Sequence, residues 1–342
     1  MRRLTRTIAV VGLTTALALV TGCSGSDSDS GAAGDGKSLE KITYLTSFGN
    51  FGRDSYALVA KEKGFFKDAG FDVDVKPGNG TGDNIQAISA GQAQFTPLDL
   101  TGILLARGNG GAKDVTVVAA IQQRTMAAIV SLEGNGITTP KDLEGKRLAD
   151  SPSSVVRNLF PTYAKLANID GSKVQWVNGT PQTLIGTLAA GSVQGIGQFV
   201  VGKPTVEAVA KGRKAVFLPY SDVMTDLYGN VLVVPTKLAK EKPEMVKKFT
   251  AALIKGLEYS IANPKEAGEI LHKNVAASLA APAAAELELM AAYVRSAGSG
   301  SAVGSIDAQR VVRSIAILQG AGAIPAGLTP EQLIDFDLAP KS

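Results

Sequence analysis

Short β-rich segments alternate with helical segments along the middle of this chain, and this order limits the folds open to it. The runs "KITYLT", "FDVDV" and "VTVVAAI" have the composition of strands, and segments with helical spacing of apolar residues lie between them. Such alternation is typical of βαβ units, in which helices cover a sheet of parallel strands. The order therefore predicts an α/β protein.

One strand–turn–helix piece occurs twice. The segment "NGTGDNIQAISAG" begins at Asn79 and "NGTPQTLIGTLAAG" begins at Asn178, and each follows a short strand-like run. Asn-Gly favours a tight turn because both residues tolerate positive φ. Asn-Gly-Thr can recur by chance, but the matching flanks favour a true repeat. We therefore expect two Rossmann-like lobes built to one plan, with equivalent loops at the strand ends, where ligands bind in open α/β sheets.

The N-terminus has the features of an export signal. "MRRLTRT" is basic, "IAVVGLTTALALV" is apolar, and small residues precede Cys23. The ending "LVTGC" resembles a bacterial lipobox, in which the cysteine is lipidated and becomes the first residue of the mature protein. The alternative is an ordinary signal peptide with an incidental cysteine. We expect a signal peptide over residues 1–22, lipidation of Cys23, a flexible Gly/Ser-rich tether over 23–38, and an extracytoplasmic protein anchored to the cell membrane.

Composition excludes several functions. The net charge is +4, but residues 1–22 contain three arginines and no acid, so the mature charge is about +1 and gives no reason to expect nucleic-acid binding. Cys23 is the single cysteine, so no disulfide or cysteine-rich metal site is possible. The single histidine, His272, lies in a helical segment, where we expect it to be structural or exposed. We expect no metal, no cofactor and no catalytic residue.

The length of the mature chain, about 300 residues, suggests two domains or one protein with two lobes. After Pro235 the pattern is almost wholly helical, and four apolar residues are spaced to share one helix face: Val246, Phe249, Leu253 and Leu257. We expect a first lobe over 39–124 and 236–342, and a second lobe over 125–235. The helical tail should pack on the first lobe.

Polar and aromatic residues follow the predicted strand ends, and two facing lobes would bring them to one cleft. In "SPSSVVRNLF" the serines precede a helix, where they could hold an anionic group or act simply as N-caps. The candidate ligand-binding residues are Ser47, Phe48, Asn50, Phe51, Asn79, Gly80, Thr81, Asp99, Gln122, Gln123, Ser151, Ser153, Ser154, Asn178, Gln198 and Tyr228. No nucleophile elbow, P-loop or H-E-x-x-H motif occurs, which disfavours an enzyme.

Four segments together resemble a known family: "KGFFKDAGFDVDV", "AISAGQAQF", "GITTPKDLEGKRLA" and "LAAGSVQGIGQFVVGKP". They are similar to the substrate-binding proteins of ABC importers for nitrate, taurine, aliphatic sulfonates and thiamine pyrimidine precursors, roughly over residues 40–270. The resemblance implies a fold of the type II periplasmic-binding-protein kind, with two α/β lobes that close on a ligand. It places the two hinge crossings near Gln123–Ala127 and Val231–Thr236. It also implies a monomer whose partners are a membrane permease and its ATPase.

The same family includes fungal enzymes that make the thiamine pyrimidine from their own histidine, with iron and a cysteine-rich motif. This chain departs from them, because it has no second cysteine and its histidine lies elsewhere. A secreted enzyme and a sensor with a degenerate cleft remain the alternatives from other classes.

The predicted cleft loops contain more Gln, Asn, Asp and aromatic residues than Arg or Lys. Asp99 in a cleft would repel an anion and attract an amino group. The sequence therefore favours an aromatic heterocycle such as a thiamine pyrimidine precursor. A taurine, sulfonate or nitrate ligand held at Ser151–Ser154 is the alternative.

Overall fold

A computed structural model describes residues 38–295 and 302–341, so Cys23 and the predicted signal and tether up to residue 37 lie outside the described residues. The first group of strands and helices alternates as the sequence predicts. Its elements are β1 (Glu40–Leu45), α1 (Tyr56–Glu62), α2 (Phe65–Asp68), β2 (Phe71–Lys76), α3 (Thr81–Ser89), β3 (Thr96–Asp99), α4 (Leu100–Gly108) and β4 (Val115–Ala120).

The second group repeats this alternation. Its elements are β5 (Ala127–Leu132), β6 (Arg147–Asp150), α5 (Val155–Leu166), β7 (Gln175–Asn178), α6 (Pro181–Ala189), β8 (Gly195–Phe199), α7 (Lys203–Val209) and β9 (Ala215–Pro219). One more strand follows, and the rest is helical: β10 (Asn230–Pro235), α8 (Thr236–Glu241), α9 (Pro243–Ala262), α10 (Pro264–Asn274), α11 (Ala280–Val294) and α12 (Ala308–Gly320).

The strands form two separate sets. In the first, β1 pairs in parallel with β2, and β3, β10 and β4 form a sheet in that order. In the second, the sheet order is β7-β6-β8-β5-β9. We call the elements around β1–β4 and β10 the first lobe and those around β5–β9 the second lobe. The two lobes are not separate domains, since the described residues from Ser38 onwards form one compact unit.

The repeated sequence piece has the same structural position in both lobes. The first copy joins β2 to α3 and the second joins β7 to α6. In each lobe the strand before the copy pairs in parallel with the strand that precedes it along the chain, β1 in the first lobe and β6 in the second. The prediction of two equivalent strand–helix loops is confirmed.

The sheets are not wholly parallel. β10 is antiparallel to β3 and β4, and β5 is antiparallel to β8 and β9. These two strands directly follow the segments in which the chain passes from one sheet to the other, so they enter the sheet without a βαβ crossover. Alternation along the sequence could not reveal this reversal, because it gives element order and not strand direction.

The chain passes between the sheets within residues 121–126 and within 220–229. The first agrees with the predicted crossing near Gln123–Ala127. The second precedes Val231–Thr236, so that prediction was wrong, as was the placing of the β10 residues with the second lobe. Asn230–Val233 pair with β3, and Val231–Pro235 with β4, so this strand is central to the sheet of the first lobe.

The helical tail packs on the first lobe, as predicted. Phe249 of α9 stacks on Phe95 and Phe66, with ring centroids 3.7 and 4.9 Å away, and contacts Phe71 edge-on. Val246, Phe249, Leu253 and Leu257 are all fully buried, which confirms the predicted helix face. Within the described residues, no helix is both long and apolar enough to cross a membrane.

Candidate functional site

The loop of the first Asn-Gly-Thr copy touches the serine-rich loop of the second lobe. The Gly82 N–H donates to the Ser153 carbonyl at 3.1 Å, and the Ser151 hydroxyl donates to the Asn79 carbonyl at 3.2 Å. Gly80 has φ of 111°, and a Cβ there would be 2.8 Å from the Ser153 carbonyl oxygen. Glycine is therefore required both by the backbone conformation and by the close approach of the lobes.

The second copy faces the first lobe in the corresponding way. A Cβ on Gly49, in the loop after β1, would lie 3.0 Å from the Cβ of Pro181, the first residue of α6. Thr180 and Thr183 form a capping box at this helix end. Each lobe therefore sets its Asn-Gly-Thr loop against a strand-end loop of the other lobe, the loop after β6 in one case and the loop after β1 in the other. The two loop pairs close the cleft from both sides.

The centre of the cleft is almost filled. A cavity of about 10 Å³ remains, with room for about one water molecule. Five predicted residues line it, and so do three that the sequence did not indicate. The predicted ones are Ser47, Phe48, Gly80, Thr81 and Asp99, and the others are Val155, Phe199 and Asn230.

Phe199 joins the lobes at this point. Its ring meets Phe48 edge-on at a centroid distance of 5.9 Å and covers the guanidinium of Arg53 at 4.6 Å. Phe199 ends β8 of the second lobe, whereas its two partners lie in the first. Its apolar character made it resemble an ordinary strand residue, and no sequence signal marked it as a cleft residue.

Several predicted residues are buried beside the cleft but are engaged by other parts of the chain. The Gln122 side-chain oxygen accepts from the Asn230 N–H at 3.1 Å, and Gln123 donates to the Ser305 carbonyl at 3.1 Å. The Tyr228 hydroxyl accepts from the Asp307 N–H at 3.0 Å. Gln122 therefore holds the first crossing to β10, whereas Gln123 and Tyr228 hold the crossings to the tail.

Three predicted residues lie outside the centre. Asn178 is exposed, and its side-chain oxygen accepts from Arg157 of its own lobe at 2.7 Å. Asn50 and Phe51 line a separate cavity of about 420 Å³ at the rim of the cleft. The structure thus does not bring Asn178 together with the other candidates.

Two buried carboxyls end strands of the two lobes, and of the two only Asp99 lines the central cavity. Asp99 caps α4 by accepting from the Thr101 N–H at 2.9 Å, and burial raises its pKa to about 6. Asp150 ends β6 and accepts from the Ser151 N–H at 2.8 Å, and burial raises its pKa to about 7. One oxygen of Asp150 and the side-chain nitrogen of Gln198 are buried without a hydrogen-bond partner. Such groups are costly unless a ligand or water satisfies them.

A buried ionic cluster backs the cleft, and the sequence did not indicate it. The Arg53 guanidinium lies between the rings of Phe51 and Phe199, at 4.4 and 4.6 Å. It is 3.6 Å from an Asp54 oxygen and 3.7 Å from a Glu286 oxygen. Burial raises the pKa of both carboxyls, and the positive charge of Arg53 opposes that effect. Glu286 comes from α11, so sequence proximity could not pair it with Arg53.

The cleft region collects the fully buried ionisable acids and bases of the described chain. They are Arg53, Asp54, Asp99, Asp150 and Glu286, which is four carboxyls to one guanidinium, and only Asp54 and Glu286 pair with it. This environment disfavours an anion and favours groups that donate hydrogen bonds. No cluster of three His, Cys, Asp or Glu side chains suited to a metal ion occurs among the described residues, and His272 is exposed.

Solved structures share this fold. The alkanesulfonate-binding protein SsuA from Xanthomonas axonopodis, bound to MOPS, has a TM-score of 0.68 at 14% identity, covering 87% of this chain and 99% of its own. The nitrate-binding protein NrtA from Synechocystis has a TM-score of 0.66 at 12% identity, covering 88% of this chain and 87% of its own. At these identities the likeness shows the fold, which confirms the periplasmic-binding-protein architecture.

Two sequence relatives are named for pyrimidine compounds. A formylaminopyrimidine-binding protein from Halalkalibacterium halodurans is 24% identical over 79% of this chain and 79% of its own length. A 4-amino-5-hydroxymethyl-2-methylpyrimidine phosphate synthase from Candida albicans is 25% identical over 67% of this chain and 70% of its own length. The family model described as NMT1/THI5 like matches residues 55–267, more than half of the chain. The chain belongs to the NMT1/THI5-like family.

Proposed function

We propose that this chain is an extracytoplasmic solute-binding protein that delivers an uncharged or cationic aromatic heterocycle, such as a thiamine pyrimidine precursor, to an ABC importer. The observation that carries the proposal is the excess of buried carboxyls at the cleft, four against one guanidinium. The charge of Arg53 is balanced by Asp54 and Glu286 at 3.6 and 3.7 Å, while its Nε and Nη1 have no hydrogen-bond partner.

An aminopyrimidine suits this environment chemically. Its exocyclic amino group donates hydrogen bonds, and the neighbouring ring nitrogen accepts one. A carboxyl with a raised pKa can accept from the amino group and, when protonated, donate to the ring nitrogen. Asp150, with an unpartnered oxygen and a pKa of about 7, is the residue that we assign to this contact.

Binding requires the lobes to separate first. The central cavity of about 10 Å³ admits no solute, and the Gly82–Ser153 hydrogen bond closes one side of the cleft. A solute that contacts both lobes would favour the closed arrangement by its differential affinity for that state. The closed form would then dock on a permease driven by an ATPase.

The test is a thermal-shift panel of 4-amino-5-hydroxymethyl-2-methylpyrimidine, a formylaminopyrimidine, taurine, an alkanesulfonate and nitrate. A ligand at roughly 100 times its dissociation constant should stabilise the protein by about 2.7 kcal/mol. We expect a pyrimidine to do so and Asp150→Asn to weaken the effect, while Asp142→Asn at an exposed position leaves it unchanged. Stabilisation by sulfonates or nitrate alone would instead support the second candidate, which the solved sulfonate- and nitrate-binding structures favour.

An enzyme of the same fold is the alternative from another class, because some relatives are named as synthases. Mass spectrometry of the protein and its solution after incubation with iron, oxygen and candidate substrates distinguishes the two. Product formation, or loss of mass at His272, would overturn the binding proposal. An unchanged protein that still binds a pyrimidine supports it.

We also propose that Cys23 carries a lipid that anchors the protein outside the cytoplasm. The supporting observation is the apolar run that ends in "LVTGC" after a basic start. Cell fractionation checks this proposal. The wild type should sediment with membranes, whereas Cys23→Ser should be released or remain unprocessed, and equal membrane association of both would contradict it.

A further inference from the structure

The small cavity at the centre of the cleft has one polar wall and one apolar wall. Its polar lining residues all belong to the first lobe, and we call them the polar notch: Ser47, Thr81, Asp99 and Asn230. The second lobe contributes only Val155 and Phe199. The volume of about 10 Å³ is that of one water-sized group, so the notch suits a hydroxyl and not a ring.

Asp99 and Asn230 stand side by side in the polar notch. They are directly paired residues of the antiparallel strands β3 and β10. The side chains of such a pair leave the sheet on the same face, with Cβ atoms about 4.5–5.5 Å apart. Both residues are buried, and no hydrogen bond joins their side chains in the described part of the chain. A small group between them would therefore meet a carboxyl on one side and a carboxamide on the other.

The main chain of Asn230 is fixed, whereas its carboxamide is not engaged. The Asn230 N–H donates to the Gln122 side-chain oxygen at 3.1 Å, and its carbonyl accepts from the N–H groups of Ile121 and Gln122, both at 2.9 Å. Within residues 38–295 and 302–341, the carboxamide itself makes no hydrogen bond, although Asn230 is only 5% exposed. A buried amide normally has a partner, so this one is available to a bound solute.

The other members of the notch are held in place before any solute binds. The Ser47 hydroxyl donates to Asp54 at 2.6 Å, and Asp99 accepts from the Thr101 N–H at 2.9 Å. A second oxygen of the Asp99 carboxyl remains as an acceptor. The notch is thus preorganised, which lowers the cost of binding a group that fits it.

We propose that the polar notch binds a hydroxyl-sized substituent of the solute that both donates and accepts a hydrogen bond, and that Asn230 is a specificity-determining residue. This inference rests on the proposed solute-binding function and leaves the ring between the lobes, with Asp150 at its amino group. The substituent donates to Asp99 and accepts from the carboxamide N–H of Asn230. The hydroxymethyl group of 4-amino-5-hydroxymethyl-2-methylpyrimidine can do both, whereas a sulfonate or nitrate cannot donate.

The apolar wall makes this recognition selective. When the lobes close, Val155 and Phe199 cover the notch and keep water from it. A solute without the substituent would then leave the polar side chains of Asp99 and Asn230 buried without partners. Sites that bind a hydroxyl in this way strongly reject the analogue that lacks it.

The test compares two pyrimidines by isothermal titration calorimetry. 4-Amino-2,5-dimethylpyrimidine keeps the amino group and ring of the hydroxymethyl compound and has hydrogen in place of the hydroxyl. We expect the wild type to bind it more weakly than the hydroxymethyl compound by roughly tenfold or more. Equal affinity of the wild type for both compounds overturns the inference and leaves the proposed function intact.

Asn230→Leu tests the assigned residue. It should bind the hydroxymethyl compound roughly tenfold more weakly than the wild type and bind the dimethyl compound as well as the wild type or better. Asn274→Leu makes the same exchange at an exposed position and should behave as the wild type. If Asn230→Leu does not fold, as judged by circular dichroism, Asn230→Ala takes its place.

The remaining outcomes separate a specific role from a structural one. An equal loss of affinity for both compounds in the Asn230 variant overturns the inference, because the residue then acts only through the shape of the cleft. If neither compound binds the wild type, the proposed solute class is wrong and the inference falls with it.

Discussion

Gly80 of the first lobe lies with its main chain against the main chain of Ser153 of the second lobe, so closely that a Cβ on residue 80 would be 2.8 Å from the Ser153 carbonyl oxygen. The backbone of Gly80, at φ 111° and ψ 171°, is also in a region that is essentially restricted to glycine. The closed cleft thus depends on a missing side chain.

Gly80→Ala should destabilise the protein and open the cleft. The backbone strain alone costs on the order of 1–3 kcal/mol, and the clash with Ser153 adds to it. Gly91→Ala is the matched control, because Gly91 has φ of 72° but no atom within 4 Å of its Cβ. Urea denaturation and small-angle scattering measure the two effects. Equal losses of stability and equal radii for the two variants would show that the contact with Ser153 is unimportant.

Stability should fall as the pH rises from about 4 to about 7, in part because of Asp150. Burial raises the pKa of this carboxyl to about 7, so the folded protein keeps a proton that the unfolded chain releases near pH 4. The folded state then binds more protons across this window, and each pKa unit is worth about 1.4 kcal/mol. Asp150→Asn should flatten the slope, measured by urea denaturation at a series of pH values.

Asp142→Asn is the control for this experiment, because the pKa of Asp142 is lowered whereas that of Asp150 is raised. Backbone N–H groups of Thr138 and Thr139 lower its pKa to about 2, so its contribution is complete above pH 4 and is lost only as the pH falls towards 2. Asp142→Asn should leave the slope between pH 4 and 7 unchanged. A slope that Asp150→Asn does not alter would contradict the assignment.

Loss of Arg53 should cost much more stability than loss of one of its partners. Arg53→Met leaves two buried carboxyls without a positive charge, and removing one member of a buried ion pair typically costs about 3–5 kcal/mol. Glu286→Gln leaves Asp54 to balance Arg53 and should cost roughly 1 kcal/mol, the usual effect of one weakened hydrogen bond.

Chemical denaturation of the two single variants and of the double variant checks this prediction. Arg53→Met combined with Glu286→Gln should be more stable than Arg53→Met alone, since one buried carboxyl is then removed. If the two single variants lose the same stability, the cluster is not organised around the guanidinium.

Phe199→Ala should destabilise the protein by about 3–5 kcal/mol, the usual cost of truncating a buried phenylalanine. The variant also uncovers one face of Arg53 and removes the edge contact with Phe48. Phe217→Ala, on the strand β9 at the edge of the same sheet and only partly buried, is the control and should cost less. A smaller loss at Phe199 than at Phe217 would show that the ring does not join the lobes.

The fold could be predicted where the pattern repeats or has a clear period. The two Asn-Gly-Thr loops and the buried face of α9 follow directly from spacing. Strand direction could not be predicted, because β5 and β10 enter their sheets from the crossings and not through a helix.

Only the site residues that directly follow a predicted strand could be predicted from the sequence. Asp99 and the serines after β6 lie at the cleft as expected, but Gln123 and Tyr228 are bonded to Ser305 and Asp307 of the tail. Sequence position shows that a side chain follows a strand, and not which distant segment fills the space beside it. Arg53 and Glu286 illustrate the same limit, since only the packing of α11 brings them together.

The contacts that close the cleft resemble those of a two-fold dimer joined into one chain, since each half offers the same loop to the other. The two copies differ in the atoms that make the contact. At Gly80 main chain meets main chain, which leaves no room for another residue, whereas at Pro181 side-chain atoms make the contact beside the cavity of about 420 Å³ at the rim of the cleft. The contact at Pro181 therefore tolerates substitutions that the contact at Gly80 does not. Relatives could change solute preference through residue 181 and its neighbours while the glycine of the other copy stays fixed.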